Sequence, residues 1–199
     1  MSPQTPESSP AQPAPRSKPR GARETALSRA VVELEEHVSR LGWDAPVGVF
    51  ALVRTAAALE TDPAIAEILD DEALAAARRD PESLTVIEQE DLPGSADLED
   101  LLGQLAWPES VDGVALSVER VTLPAAAEAE AAAIEDPEER VAYLQSRPDR
   151  DDVRIVVGVL RSGESWCAIR ARSKDRKRSV AQGDTLVPGL IDALRATLL

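Results

Sequence analysis

Val153-Arg-Ile-Val-Val-Gly-Val-Leu160 and Ser165-Trp-Cys-Ala-Ile-Arg-Ala-Arg172, joined through Arg161-Ser162-Gly163, decide the fold. The first run is rich in valine and isoleucine, the second alternates apolar with polar residues around Trp166 and Ile169, and polar loop residues separate them, so they read as two strands of a hairpin. A three-residue loop places glycine at its left-handed third position. That register sets Val157 opposite Cys167, Ile155 opposite Ile169 and Val153 opposite Ala171, so all of these share one apolar face with Val159. A two-residue loop would set Ile155 against Arg170 and Val153 against Arg172 and spoil that face. Register follows the buried face, so the three-residue loop is preferred. Cys167 then points inward as a small core residue, a common place for cysteine. Trp166, Arg170 and Arg172 point to the other side together with Arg154, and Arg154 lies directly across from Arg170.

Working back towards the N-terminus, Leu27, Ala30, Val31, Leu34, Val38 and Leu41 recur at helical spacing, predicting a helix from about Thr25 to Leu41 closed by Gly42. Asp44 and Pro46 suggest the start of a second helix, with Val49, Leu52, Val53 and Ala56 along one side, ending near Thr61. Asp62-Pro63 opens a short third helix, and residues 72–79 continue in the same style. The period then changes. Residues 84–90 read as a strand, Ser95 caps a short helix through Leu102, and the alternation around Val114, Leu116 and Val118 marks a strand from about Asp112 to Leu123. An Ala/Glu-rich helix follows Pro124, and another follows Asp136-Pro137. The last element is a helix from about Pro188 to Leu198. The expectation is an α+β fold: about four mostly antiparallel strands with helices packed on one face, a helical N-terminal part and a C-terminal helix.

The first 23 residues are proline-rich and poor in large apolar groups, which predicts a disordered tail ahead of one domain over residues 24–199. There is no secretory leader pattern and no apolar run approaching the roughly 18 residues of a membrane span. A lone cysteine excludes an internal disulfide and suits a reducing compartment, so the cytoplasm is the expected location, with no membrane partner.

The net charge of −14 is unevenly spread. Residues 1–23 hold four basic groups and one acid, residues 24–169 hold 11 basic groups and 32 acids, and residues 170–178 hold six basic groups and one acid. An acidic body repels nucleic acid and anionic membrane. The basic segment stands out against it. Arg154, Trp166, Arg170, Arg172, Lys174, Arg176, Lys177 and Arg178 form the candidate binding set, with arginine offering planar donors for carboxylate or phosphate and tryptophan an apolar anchor. The competing explanation is that acids of this same chain, such as those of the Ala/Glu-rich helix, balance the facing arginines.

Catalytic chemistry finds little to work with. His37 and Cys167 are the single histidine and cysteine, so neither a His-dependent triad with an obvious partner nor a Cys/His zinc cluster can be assembled from spacing. His37 borders the apolar stripe of the first helix. Gly158 to Gly163 has the glycine spacing of a phosphate loop, but Glu164 stands where lysine is required. The acidic clusters lack the spacing of a calcium loop. No catalytic residue, metal ligand or cofactor is assigned. The expected function is a non-enzymatic interaction or regulatory module facing an acidic protein or anionic ligand. The alternatives are a carboxylate-dependent enzyme on a small polar substrate, or weak nucleic-acid binding through residues 170–178.

Glu90-Asp-Leu-Pro93, Leu105-Ala-Trp-Pro108 with Val111-Asp-Gly113, Arg147-Pro-Asp149 before the hairpin, Cys167-Ala-Ile-Arg170 and Leu186-Val-Pro-Gly189 form a further set. Together they resemble an uncharacterised family of short acidic actinobacterial proteins named after a propionibacterial locus. The resemblance spans roughly residues 25–199. It implies no catalytic residue, cofactor or substrate.

Overall fold

The computed structural model of the chain describes residues 20–123 and 125–199. The expected tail lies outside the described residues up to position 19. Seven helices accompany six strands: α1 Ala22–Arg40, β1 Gly48–Arg54, α2 Thr55–Thr61, α3 Asp71–Arg79, β2 Leu84–Glu88, α4 Leu98–Gly103, β3 Gly113–Thr122, α5 Ala125–Ala132, α6 Pro137–Ser146, β4 Asp151–Leu160, β5 Ser165–Ala171, β6 Ala181–Gly183 and α7 Pro188–Ala196. The strands form one antiparallel open sheet in the order β2-β1-β3-β4-β5-β6.

The β4–β5 hairpin has the expected register: Val157 faces Cys167, Ile155 faces Ile169, Val153 faces Ala171 and Arg154 faces Arg170. Gly163 has φ of +106°, the left-handed conformation that a three-residue loop requires at its third position. Cys167 is buried without exposure among aliphatic neighbours.

Two expectations about the sheet are corrected. It has six strands rather than about four, and helices cover both faces rather than one. On one face, Leu27, Val31, Leu34 and Val38 of α1 pack on Phe50, Leu52, Ala115, Val156, Leu160, Trp166 and Ala168. On the other, Leu101 and Leu102 of α4 and Ile191 and Leu194 of α7, with Leu198, pack on Val49, Val114, Leu116, Val118, Val157 and Cys167. The run Val49-Phe50-Ala51-Leu52-Val53, expected in a helix, is the strand β1. It sits between β2 and β3 with layers on both sides, so consecutive residues are apolar and a helical stripe can be drawn through them by chance. β6 spans only Ala181–Gly183, too short for an alternating signal.

α1 approaches β4 at Gly158, where a Cβ would meet Val31 Cγ2 at 2.7 Å and Leu27 Cδ1 at 3.0 Å. Glycine here is what lets the helix seat closely on the sheet. At the opposite end, Arg161 donates to the carbonyls of Val111 (2.8 Å), Trp107 (3.1 Å), Pro108 (3.3 Å) and Leu198. Trp107 Nε1 donates to Thr197 Oγ1 at 3.1 Å, and Asp112 accepts from the Arg54 backbone N–H and Nε, both at 2.7 Å. The Leu105-Ala-Trp-Pro108 and Val111-Asp-Gly113 segments thus tie β1, the hairpin loop and the C-terminal helix together.

Candidate functional site

The candidate site is the loop from Arg172 to Val180 that links β5 to β6, together with the polar layer beneath it. It grows from the α1-facing side of β4 and β5, where Arg154 and Arg170 stand side by side. Two cations in that position need counter-charge. Arg170 receives it from Glu35 of α1, with Nε and Nη2 at 2.6 and 2.7 Å from the two carboxylate oxygens, and Nη1 is 3.2 Å from Asp175. Arg154 is bound through Nε (3.2 Å) and Nη2 (2.7 Å) to Glu119 of β3, and also donates to the Gly42 carbonyl. Among the described residues, the balancing acids come from α1, β3 and the loop itself rather than from the Ala/Glu-rich α5.

Trp43, in the connection from α1 to β1, completes the layer. Arg154 stacks on its ring at 4.5 Å and Arg172 lies 5.4 Å away, while Nε1 donates to Asp175 at 2.9 Å. The tryptophan is held by cation–π attraction, and it pins Asp175 through its edge. That hydrogen bond, reinforced by Arg170, holds the Asp175 carboxyl below the usual carboxylate range. The hydrogen-bonded Glu35 carboxylate in turn raises Arg170 and keeps it charged.

The tethering continues along the loop. Arg172 reaches Asp44 (3.0 and 3.1 Å) and Asp152 (3.1 Å), and lowers the Asp44 carboxyl. Asp44 itself has φ of +66°, and its backbone N–H donates to Glu119 at 2.8 Å. The backbone N–H of Ser173 donates to Asp151 at 3.0 Å, and its hydroxyl binds the same carboxylate. Lys177 sits 2.6 Å from Glu36 and lowers it. Positions 172, 173, 175 and 177 are all bound down. Lys174, Arg176 and Arg178 alternate with them, are exposed, and have no carboxylate within 4.0 Å among the described residues.

The expected docking set is thereby divided. Arg154, Arg170 and Trp166 are not on an open strand face, because α1 covers that face. They are 0%, 5% and 4% exposed. Trp166 belongs to the α1 core layer, with Arg20 stacked 4.1 Å over its ring and, among the described residues, no hydrogen-bond partner for its Nε1. Arg172 and Lys177 are exposed but paired. Lys174, Arg176 and Arg178 are the exposed remainder, unpaired among the described residues. His37 is exposed on α1, away from this loop, at a cleft between α1 and α3. Glu35, Glu36, Trp43, Glu119 and Asp175 were not anticipated. Glu35 left a readable signal: it falls four residues after Val31 and three before Val38, inside the apolar stripe of α1, where a charge must find a buried partner.

Residues 27–199 match the model of a family described as PPA1309-like protein. The chain belongs to this PPA1309-like family. The match runs from the second turn of α1 to residue 199, and so contains the Glu35–Arg170 pair, Trp43 and the cationic loop. No curated protein and no solved structure matches the chain. No helix among the described residues is long and apolar enough to cross a membrane.

Proposed function

We propose that this PPA1309-like protein is a cytoplasmic, non-enzymatic interaction module, one domain over residues 24–199, whose β5–β6 loop docks an acidic segment of a partner protein. The observation that carries this is the alternation of bound and free positions along the loop. Arg172, Ser173, Asp175 and Lys177 spend their polar groups on the body, and Lys174, Arg176 and Arg178 point their charges outward from that fixed backbone. A cationic triad on a tethered loop loses less conformational freedom on binding than the same residues on a free tail. The acidic body around it disfavours polyanions that would need a broad contact, such as nucleic acid, and favours a short carboxylate-bearing segment that touches the loop alone.

The test is a titration with a fluorescein-labelled decaglutamate peptide at low and physiological salt. The parent chain is compared with a Lys174→Ser, Arg176→Ser, Arg178→Ser variant. Saturable binding, weakened by salt and reduced by at least about eightfold in the variant, is expected from roughly two- to fivefold per exposed charge. Equal binding by the two chains, or no binding by the parent, would overturn the reading. Chemical cross-linking in the native lysate with the same pair then identifies the partner.

A further inference from the structure

A second surface lies at the other edge of the sheet. Among the described residues β2 is an edge strand whose only neighbour is β1. The register shows which of its backbone groups are used. Thr55 N–H bonds to the Ser83 carbonyl at 3.0 Å and Gln89 N–H to the Val49 carbonyl at 2.9 Å, so odd-numbered residues of this stretch bond inward to β1. Leu84, Val86 and Glu88 therefore turn their N–H and C=O groups outward. None of these groups has a hydrogen-bond partner among the described residues. Leu84 and Val86 are only half-buried. A free edge of this kind is a template for another strand.

The edge does not open onto bare solvent. It borders a cleft of about 750 Å³ walled by α1 and α3. The cleft wall is built of small or apolar side chains, Ala26, Ala30 and Leu34 of α1 with Ala73 and Ala76 of α3. Its charge is acidic. Glu33, Glu72 and Glu88 line it, are exposed, and form no ion pair among the described residues. The arginines there are engaged elsewhere: Arg29 binds Asp80 at 3.1 Å, and Arg79 donates to the Ala75 carbonyl of its own helix at 3.1 Å. Ile87, on the other face of β2, is 47% exposed.

We infer that β2 receives an extended segment of a partner protein as a seventh strand, with lysine or arginine at alternate positions. The main chain of that segment would pair with Leu84, Val86 and Glu88. Its basic side chains would lay their methylene stems along the alanines and bring their cationic heads to Glu33, Glu72 and Glu88. The intervening side chains would lie beside Ile87, where β-branched residues fit. This surface is distinct from the β5–β6 loop and takes the opposite charge.

The probe is a ten-residue peptide alternating valine with lysine, titrated into the full chain and followed by amide hydrogen exchange and fluorescence anisotropy. The matched control carries N-methyl groups on alternate backbone amides, which removes donors while keeping charge. Slowed exchange at Leu84, Val86 and Glu88 with the first peptide, and at least tenfold weaker binding of the methylated one, is the expected result. A Glu33→Gln, Glu72→Gln, Glu88→Gln variant, altered only at exposed positions, should bind the first peptide about tenfold more weakly, from roughly two- to threefold per charge. Equal binding of the two peptides would refute strand addition. Binding without protection of those amides would place the peptide elsewhere on the acidic body and overturn the site. Protection that rises with protein concentration in the absence of peptide would assign the edge to a second copy instead.

Discussion

Breaking the Glu35–Arg170 pair is the sharpest test of how this protein holds its cationic loop. Glu35 is 1% exposed and Arg170 5%, and they meet through two charge-assisted hydrogen bonds of 2.6 and 2.7 Å. Glu35→Leu leaves a buried guanidinium whose remaining carboxylate, Asp175, is 48% exposed and therefore well hydrated. Removing one partner of a buried pair costs about 3–5 kcal/mol, and the surviving Asp175 contact places this case near the lower end, about 3 kcal/mol. For a chain of this size that corresponds to a fall in Tm of about 6–12 °C. Arg170→Met alone should cost a similar amount, because it strands the Glu35 carboxylate. The double variant Glu35→Leu, Arg170→Met fills the same space without charge and should come back to within about 1 kcal/mol of the parent, giving a coupling of about 5 kcal/mol. Urea unfolding followed by far-UV circular dichroism measures all four chains, with an unchanged m-value as the check that the denatured state is the same. Should the single variants each lose less than about 1 kcal/mol, or the double variant lose their sum, the pair is not the buried strut described here.

The loop should also respond to acid. Asp175, Asp44 and Glu36 all have carboxyl groups lowered by their hydrogen-bonded partners, so their contribution is complete above the unfolded carboxylate range near about 4 and is lost as pH falls through their folded values. Near-UV circular dichroism of Trp43 should therefore change below about pH 4 before the far-UV signal of the sheet does. Burial raises the Cys167 thiol, so its contribution is complete below the unfolded thiol range near about 8.5 and fades as pH rises further. Native protein should resist alkylation at Cys167 on a timescale set by unfolding, and Cys167→Ser should cost about 1–3 kcal/mol, read from the urea midpoint. Gly158→Val should cost about 1–3 kcal/mol or more, because its new side chain collides with Val31 and Leu27 under α1; a thermal melt equal to the parent would contradict the close helix seating.

The elements that were legible in the sequence are those with one buried side and a clear local period. α1 declared itself by its stripe, and the β4–β5 register followed from asking which loop length keeps Val153, Ile155 and Val157 on one face with Cys167 and Ile169. β1 was not legible for a physical reason. It is central, flanked by β2 and β3 and roofed by α1, so nothing forces its side chains to alternate, and Val49, Leu52 and Val53 fit a helical spacing equally well. The same ambiguity produced the mistaken placement of helices on a single face. Two-sided burial is visible only once β1 is recognised as a strand, because Phe50 and Leu52 face α1 while Val49 faces the opposite layer.

The site was half legible for a related reason. Alternation correctly put Arg154, Trp166 and Arg170 on one side of the hairpin, but alternation cannot say whether that side meets water or a helix. The decisive residue was Glu35. Its place inside the α1 stripe required a buried cationic partner, and the hairpin offered two arginines on a single face. Combining the two observations would have docked α1 onto that face and buried the arginines, leaving only the residues beyond the strand end to meet a partner. Those are Lys174, Arg176 and Arg178, which no carboxylate of the described residues engages. A facing pair of arginines on a strand of an acidic protein is thus better read as a socket for an internal acid than as a binding surface, and the charges left over after the internal pairs are matched mark where recognition can occur.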